Sequence, residues 1–319
     1  MSERYLSINA FLKQKFGSKF IKLSIDGGFT CPNRDGTLDR GGCLFCSEQG
    51  SGEYAGIVAP EFEKAQASAS AQIESSISAQ IESQKALVSK KWTARNYIAY
   101  FQNFTNTYDS VDRLKLRYDK ALAEPEIKGL AIATRADCLD DCVIELLKSY
   151  RHLPVFWVEI GVQTSKQDSR DWLNLHQSLS LLESRVKALK EAGIPVVLHV
   201  IAGLPGETKE DFMATIAFVN RLAPFGIKIH MLNILKGTAL AHAYGEAPFE
   251  LLSRDVYIEW IVEALAHLRP DITIHRLTGD GPRALLIEPL WIRDKRAVLN
   301  GIEKQLREQS IVQGCQWQD

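Results

Sequence analysis

Three of the chain's six cysteines fall within one sixteen-residue stretch, Cys31-Pro-Asn-Arg-Asp-Gly-Thr-Leu-Asp-Arg-Gly-Gly-Cys43-Leu-Phe-Cys46, directly after the alternating segment Phe20-Ile-Lys-Leu-Ser-Ile25. Cysteines two residues apart can grip one metal centre, because a tight turn sets both sulfurs on the same side, and a third thiol upstream can reach back across a short loop. Three thiolates are one fewer than a closed tetrahedral zinc site takes, whereas a [4Fe–4S] cube held by three cysteines keeps one iron open for a substrate or cofactor. The pattern therefore points to chemistry at an open iron. Two plainer readings compete. A disulfide suits a secreted chain, but Met1 to Lys15 contains no unbroken apolar run of the kind a signal peptide needs. A structural zinc would have to borrow a fourth ligand from a distant histidine or from Cys138.

Length and composition frame what can hold such a loop. The 319 residues suffice for one large α/β domain with an extension, and 45% hydrophobic content is ordinary for a globular core. No apolar run approaches a membrane span, so a cytoplasmic protein is expected, in a compartment where thiols stay reduced. The formal charge of −1 does not mark a general nucleic-acid binder. Basic residues do cluster at Lys85, Lys90, Lys91 and Arg95, and again at Arg293, Lys295 and Arg296; such clusters are most often solvated surface.

The elements that must position the loop follow from periodicity. Apolar residues at near-helical spacing over residues 5–16, closed by Gly17, predict a short helix acting as a lid or end-cap. Residues 61–90 contain the near-repeat Ser70-Ala-Gln-Ile-Glu-Ser75 and Ser78-Ala-Gln-Ile-Glu-Ser83, with Ile73, Ile77 and Ile81 as a thin stripe on a polar, largely exposed helix. Strand-like runs then recur at 97–101, 129–133, 155–160, 196–201 and 227–232, separated by segments of helical spacing. With the first strand this makes six β/α units and a parallel sheet. Polar words follow each strand: Gln102-Asn-Phe-Thr-Asn106, Thr134-Arg-Ala-Asp-Cys138, Gly161-Val-Gln-Thr164, Gly203-Leu-Pro-Gly-Glu-Thr208 and Asn233-Ile-Leu-Lys-Gly237. Chemistry gathered at the C-terminal ends of strands is the arrangement of a barrel. The expected fold is α/β, a partial (β/α)6 TIM-like barrel over 19–240, preceded by a helical cap over 1–18 and followed by a C-terminal α/β extension over 241–319 packed on the barrel.

The C-x11-C-x2-C spacing with Phe45 before the last cysteine resembles the cluster loop of radical S-adenosylmethionine (SAM) proteins, in a longer form than usual. The surrounding words Ser24-Ile-Asp-Gly-Gly-Phe-Thr-Cys-Pro-Asn-Arg-Asp-Gly-Thr37, Tyr100-Phe-Gln-Asn-Phe-Thr-Asn-Thr-Tyr108, Gly203-Leu-Pro-Gly-Glu207, Gly226-Ile-Lys-Ile-His230 and Ile274-His-Arg-Leu-Thr-Gly-Asp280 resemble the YhcC/YtqA-like branch, relatives of the catalytic subunit of Elongator. The resemblance implies a [4Fe–4S] cluster on Cys31, Cys43 and Cys46, with SAM as the second cofactor and Phe45 against its adenine. It implies further that Gln102, Asn103, Thr105 and Asn106 stand where the methionine amine is held, Glu159 and Gln163 where ribose is held, and Gly203, Leu204, Pro205 and Gly206 where backbone nears adenine. The chain departs from the branch in Arg135-Ala-Asp-Cys138, usually Arg-Pro-Asp-Cys, and in Asn174-Leu-His176, usually Asn-Arg-Gly-His, so no substrate role passes to Asn174 or His176. Cys138, with Arg135 and Asp137, is expected to face the barrel mouth, where a free thiol could give a hydrogen atom to a substrate radical; the plain alternative is a core thiol. Cys138 and Cys142 share a face if the next helix begins before Cys138.

Kinship to Elongator implies a tRNA substrate, at the side chain of a wobble uridine, with reducing electrons from a donor such as flavodoxin or ferredoxin. A radical enzyme acting on a small molecule or a protein is the second expectation, and a zinc-stabilised RNA-binding protein without catalysis the third. Protein purified without oxygen should carry about four irons per chain, lost when Cys31, Cys43 or Cys46 becomes Ala; iron analysis checks it, and stoichiometric zinc from iron-rich cells would overturn it.

Overall fold

The computed structural model describes residues 4–48, 50, 55–56, 69–90, 96–279 and 281–318, with the backbone alone over 69–75. Nine strands are described: β1 (Ile21–Ile25), β2 (Tyr97–Phe101), β3 (Ile127–Thr134), β4 (Val155–Gln163), β5 (Val196–Ala202), β6 (Gly226–Met231), β7 (Ile234–Leu235), β8 (Thr273–Arg276) and β9 (Leu286–Glu288). The ten α-helices are α1 (Ile8–Phe16), α2 (Ala69–Ser89), α3 (Val111–Leu122), α4 (Asp141–Lys148), α5 (Gln167–Trp172), α6 (Leu179–Glu191), α7 (Lys209–Leu222), α8 (Ala239–Glu246), α9 (Arg254–His267) and α10 (Lys295–Glu308). The main sheet runs β1-β2-β3-β4-β5-β6-β8, every pair parallel, curled as an open half-barrel with helices outside. It has seven strands rather than the expected six, because the segment beyond residue 240 returns β8 to the edge of β6.

Strand alternation sorts side chains into two environments. Outward residues such as Leu23, Ala99, Ile132, Val158, Leu198 and Ile229 join the helices in the main core. Inward residues at the lower end, Ile98, Val155, Trp157 and Val197, form a separate apolar cluster with Ile8 and Leu12 of α1. Helix α1 is thus a plug in the barrel floor. Its start is capped by Ser7, whose side chain accepts from Ala10 N–H, and its end by Gly17 at φ 67°. The Ile274 amide donates to Leu6 carbonyl at 2.8 Å, tying the plug to β8. Gly226 leaves the space that the His275 imidazole fills: a Cβ there would lie 2.5 Å from His275 Nε2.

Helix α2 differs from expectation on its inner face. Ile77, Gln80, Ile81 and Ser83 are buried, and Gln80 pairs with the Asp26 backbone, accepting at 2.8 Å and donating at 3.0 Å. The polar composition concealed this because an amide that satisfies two backbone groups can be buried as readily as an apolar side chain. Residues 61–68, Lys91, Arg95, Asp280 and the Ile73 side chain lie outside the described residues. Among the described residues no helix is long and apolar enough to cross a membrane. Leu12→Ala should lower the unfolding free energy by about 3 kcal/mol, measured in urea, because Leu12 is 4% exposed within the floor plug.

Candidate active site

The cysteine loop leaves β1 and turns twice on backbone hydrogen bonds, Arg34 N–H to Cys31 carbonyl and Cys46 N–H to Cys43 carbonyl, both 2.9 Å. These turns bring all three thiols to the wall of one cavity of about 250 Å³ at the C-terminal ends of the strands. Arg34 braces the loop from within, donating to the carbonyls of Cys46, Ser47 and Glu48. The 173–176 turn clamps it from outside: Leu44 N–H donates to Leu173 carbonyl, and Asn174, in the left-handed region at φ 58°, donates to Gly42 carbonyl at 2.9 Å. Fully buried Asn33 donates both to Asn174 carbonyl at 2.7 Å and to Cys43 Sγ at 3.5 Å. Asn174 therefore serves the loop, a role that sequence reasoning missed.

Arg135 approaches Cys43 from the other side, Nη1 lying 3.9 Å from Sγ. Its guanidinium is held in a fork by Asp137, at 2.9 and 2.7 Å, and by Leu175 carbonyl at 2.8 Å. A hydrogen bond from Cys46, with Arg135 and Asn33 adding to it, draws the Cys43 thiol down to about 7, while the same bond and burial push Cys46 well up. Cys31 is raised by burial. Cys43 is the sulfur with two N–H donors aimed at it, from Asn33 and Arg135.

Deeper in the cavity the lining becomes polar. Glu159, 1% exposed, accepts at Oε2 from Tyr100 Oη at 2.7 Å and from Lys228, with His199 Nε2 at 2.8 Å from the same oxygen; Oε1 accepts from Trp157 Nε1 at 2.8 Å. Lys228 also donates to Tyr100 Oη at 3.0 Å, and Lys22 Nζ stands 3.9 Å from Oε1. Burial alone would raise the Glu159 carboxyl, yet Lys228, Lys22 and His199 hold it well below the carboxylate range. Burial and the Lys228 charge lower His199 to about 4, and His230 and His275 shift the same way.

Of the residues expected at the site, Cys31, Cys43, Cys46, Phe45, Gln102, Thr105, Arg135, Glu159 and Gln163 line the cavity. Asn103, Asn106, Asp137, Cys138 and the turn 203–206 do not. Asn103 and Asn106 serve the scaffold, donating to Asp26 Oδ2 and to Ala133 carbonyl. Gly203 is pressed against Leu252, and Leu204 belongs to an apolar wall with Ile201, Leu232 and Phe45. Asp137 acts through Arg135. Cys138 closes a short 3-10 turn, with its thiol pushed well up by burial, and α4 begins only at Asp141, so Cys138 and Cys142 do not share a helix face. Glu159, expected at the ribose, lines the cavity with both oxygens already accepting from protein donors. Tyr100, His199, Lys228, His230 and Arg276 line the cavity and were not singled out. Their signal was the polar residue at every second position of Ile227-Lys-Ile-His230, which in a sheet covered by helices must face the lumen.

The donor set fits an iron–sulfur cluster. Cys31, Cys43 and Cys46 all line one cavity as free thiols, and thiolates are the ligands that such clusters take. Two buried polar atoms without partners among the described residues, His230 Nε2 and Asn233 Oδ1, belong to residues of the same cavity and suit a polar ligand there.

Comparison with known proteins agrees. Residues 40–219 match the Radical SAM superfamily and residues 224–308 the Radical_SAM C-terminal domain. The chain is 38% identical to the uncharacterized protein YtqA of Bacillus subtilis, over 98% of this chain and 92% of that one. A tRNA uridine(34) acetyltransferase of Dehalococcoides mccartyi is 25% identical over 51% of this chain and 36% of its own length. Among solved structures, the archaeal Elp3 of Methanocaldococcus infernus superposes with a TM-score of 0.65 at 17% identity, covering 93% of this chain and 64% of that one, a likeness of fold.

The lumen imidazoles set a pH dependence. A histidine whose pKa falls from about 6.5 unfolded to about 4 folded binds fewer protons when folded, so its contribution is complete above the unfolded value and disappears as pH falls toward the folded one. Unfolding free energies from urea titrations should drop between pH 6.5 and 4.5, by about 3 kcal/mol for His199, and His199→Gln should flatten that slope.

Proposed function

The chain belongs to the radical SAM superfamily, and we propose that it is an enzyme that cleaves SAM at a [4Fe–4S] cluster on Cys31, Cys43 and Cys46 in order to modify the side chain of a wobble uridine in tRNA. The observation that carries the reading is the meeting of three thiols from one loop with a donor-lined lumen in a single cavity. When bound, the cluster and SAM supply a 5′-deoxyadenosyl radical that abstracts a hydrogen atom. The chain's own residues do the rest. Cys31, Cys43 and Cys46 hold three irons, while Asn33 and Arg135 orient Cys43 and offset its charge. Phe45, Ile201 and Leu232 offer an apolar wall for adenine. Gln102, which follows β2, would contact the methionine amine and Gln163 the ribose hydroxyls, a reading supported by both lining the cavity.

A tRNA substrate is favoured by the partial match to the uridine(34) acetyltransferase and by the Elp3-like fold. One electron per cleavage would come from a small donor such as flavodoxin or ferredoxin, in the cytoplasm. Anaerobic, reduced protein should convert SAM to 5′-deoxyadenosine and methionine, and Cys46→Ala should abolish this. Nucleoside analysis of tRNA from cells with and without the protein should differ at one uridine derivative, restored by the parent gene and not by Cys46→Ala. An identical nucleoside profile alongside intact SAM cleavage would remove tRNA as the substrate and point to a small molecule or a protein instead.

A further inference from the structure

Cys43 sits between two donors that arrive from different parts of the chain, Asn33 with Nδ2 at 3.5 Å from its sulfur and Arg135 with Nη1 at 3.9 Å. Both are fastened to one turn. The Asn33 amide donates to Asn174 carbonyl at 2.7 Å, and Arg135 Nη2 donates to the next carbonyl, that of Leu175, at 2.8 Å. Left-handed backbone at Asn174 (φ 58°) and His176 (φ 51°) shapes the turn that offers these two anchors. Asp137 grips the guanidinium along its other edge, accepting from Nε and Nη2 at 2.9 and 2.7 Å. Arg135 and Asp137 together are neutral, and the fork makes them a dipole whose positive end, Nη1, points at Cys43. A thiol is a weak acceptor, so a fully buried amide and a pinned guanidinium aimed at one sulfur are matched to a thiolate.

We propose that Asn33 and Arg135 are positioning residues that raise the reduction potential of the cluster Cys43 helps to hold, with the Asn174–Leu175 turn and Asp137 fixing them for that task. The inference rests on the reading of Cys31, Cys43 and Cys46 as cluster ligands, and adds a redox role that the reading does not contain. Reduction adds an electron, and part of its charge falls on the sulfurs. Donors and a positive dipole end beside a sulfur stabilise the more negative state, so the electron is accepted from a weaker reductant than it would otherwise need. The site is partly screened from water, which strengthens the effect.

The test is a redox titration of anaerobically reconstituted protein without SAM, followed by the electron paramagnetic resonance of the reduced cluster. Arg135→Met and Asn33→Ala should each lower the ratio of reduced to oxidised cluster at a fixed potential by about tenfold, a shift of ~59 mV for one electron. Because Arg135→Met alone leaves the Asp137 carboxylate unpaired, the double variant Arg135→Met, Asp137→Asn removes the pair without changing net charge; it too should fall below the parent. Arg135→Lys, which returns a cation that can meet Asp137, should recover part of the shift, whereas a loop only loosened by losing the fork would not recover it. If Asn33→Ala does not retain iron, the Arg135 variants decide alone. A double variant whose potential equals or exceeds that of the parent overturns the proposal, as does an iron-loaded Asn33→Ala with an unmoved potential or an Arg135→Lys that falls as far as Arg135→Met. Iron analysis of the parent keeps the two readings apart: a parent without about four irons cancels the cluster itself, while four irons with unmoved potentials cancel only the redox role of the donors.

Discussion

A carboxylate buried at the centre of a barrel costs several kcal/mol in lost hydration unless donors surround it, and much of this lumen is arranged to do so. Glu159 on β4 draws in Tyr100 from β2, His199 from β5 and Lys228 from β6, together with its own strand's Trp157. Each partner arrives because parallel strands in register bring inward residues to one level: Glu159 lies opposite Val197 and two positions from His199 along β5, and His199 is paired with Lys228 on β6. A slip of one residue in any of these strands would turn the donor outward into an apolar core and leave the carboxylate unpaired. Glu159 therefore helps to specify the register of the sheet whose mouth holds the cysteines.

The cysteine loop depends on a different economy, in which short side chains satisfy backbone groups that a loop cannot pair by itself. Asn33, Asn174 and Arg34 supply most of those bonds. Arg135 joins them only because Asp137 and Leu175 carbonyl fix its guanidinium, so the 135–138 segment acts on the loop through a single arginine. Cys138 is left with a half-buried thiol, its pKa pushed up by desolvation, beside this fork and outside the cavity lining.

Local signals made the alternating strands, their order, the end-cap helix and the three thiols legible in the sequence. Gly17 closes α1 in the left-handed conformation that its residue type favours, and the thiol spacing implied the turns that form. What escaped was long-range. The β8 strand is short, and only its pairing with β6 makes it part of the barrel. Helix α2 looked exposed because Gln80 is polar, while its burial depends on the Asp26 backbone 54 residues away. Glu159 was expected near the site, but the three partners of its Oε2 sit 40 to 69 residues distant, and no local pattern states that they will meet on one oxygen.

The two polar regions of the cavity differ in how they treat water, and this separates their tasks. At the floor α1 seals the lumen with Ile8 and Leu12 beneath Trp157, so the Glu159 network is enclosed from below and sheltered by helices outside. Charges enclosed in this way interact more strongly than charges in water, and reactive species formed above them are shielded from solvent on every side but the mouth. At the mouth the cysteine loop stays partly exposed, with Cys31, Cys43 and Cys46 all of intermediate accessibility.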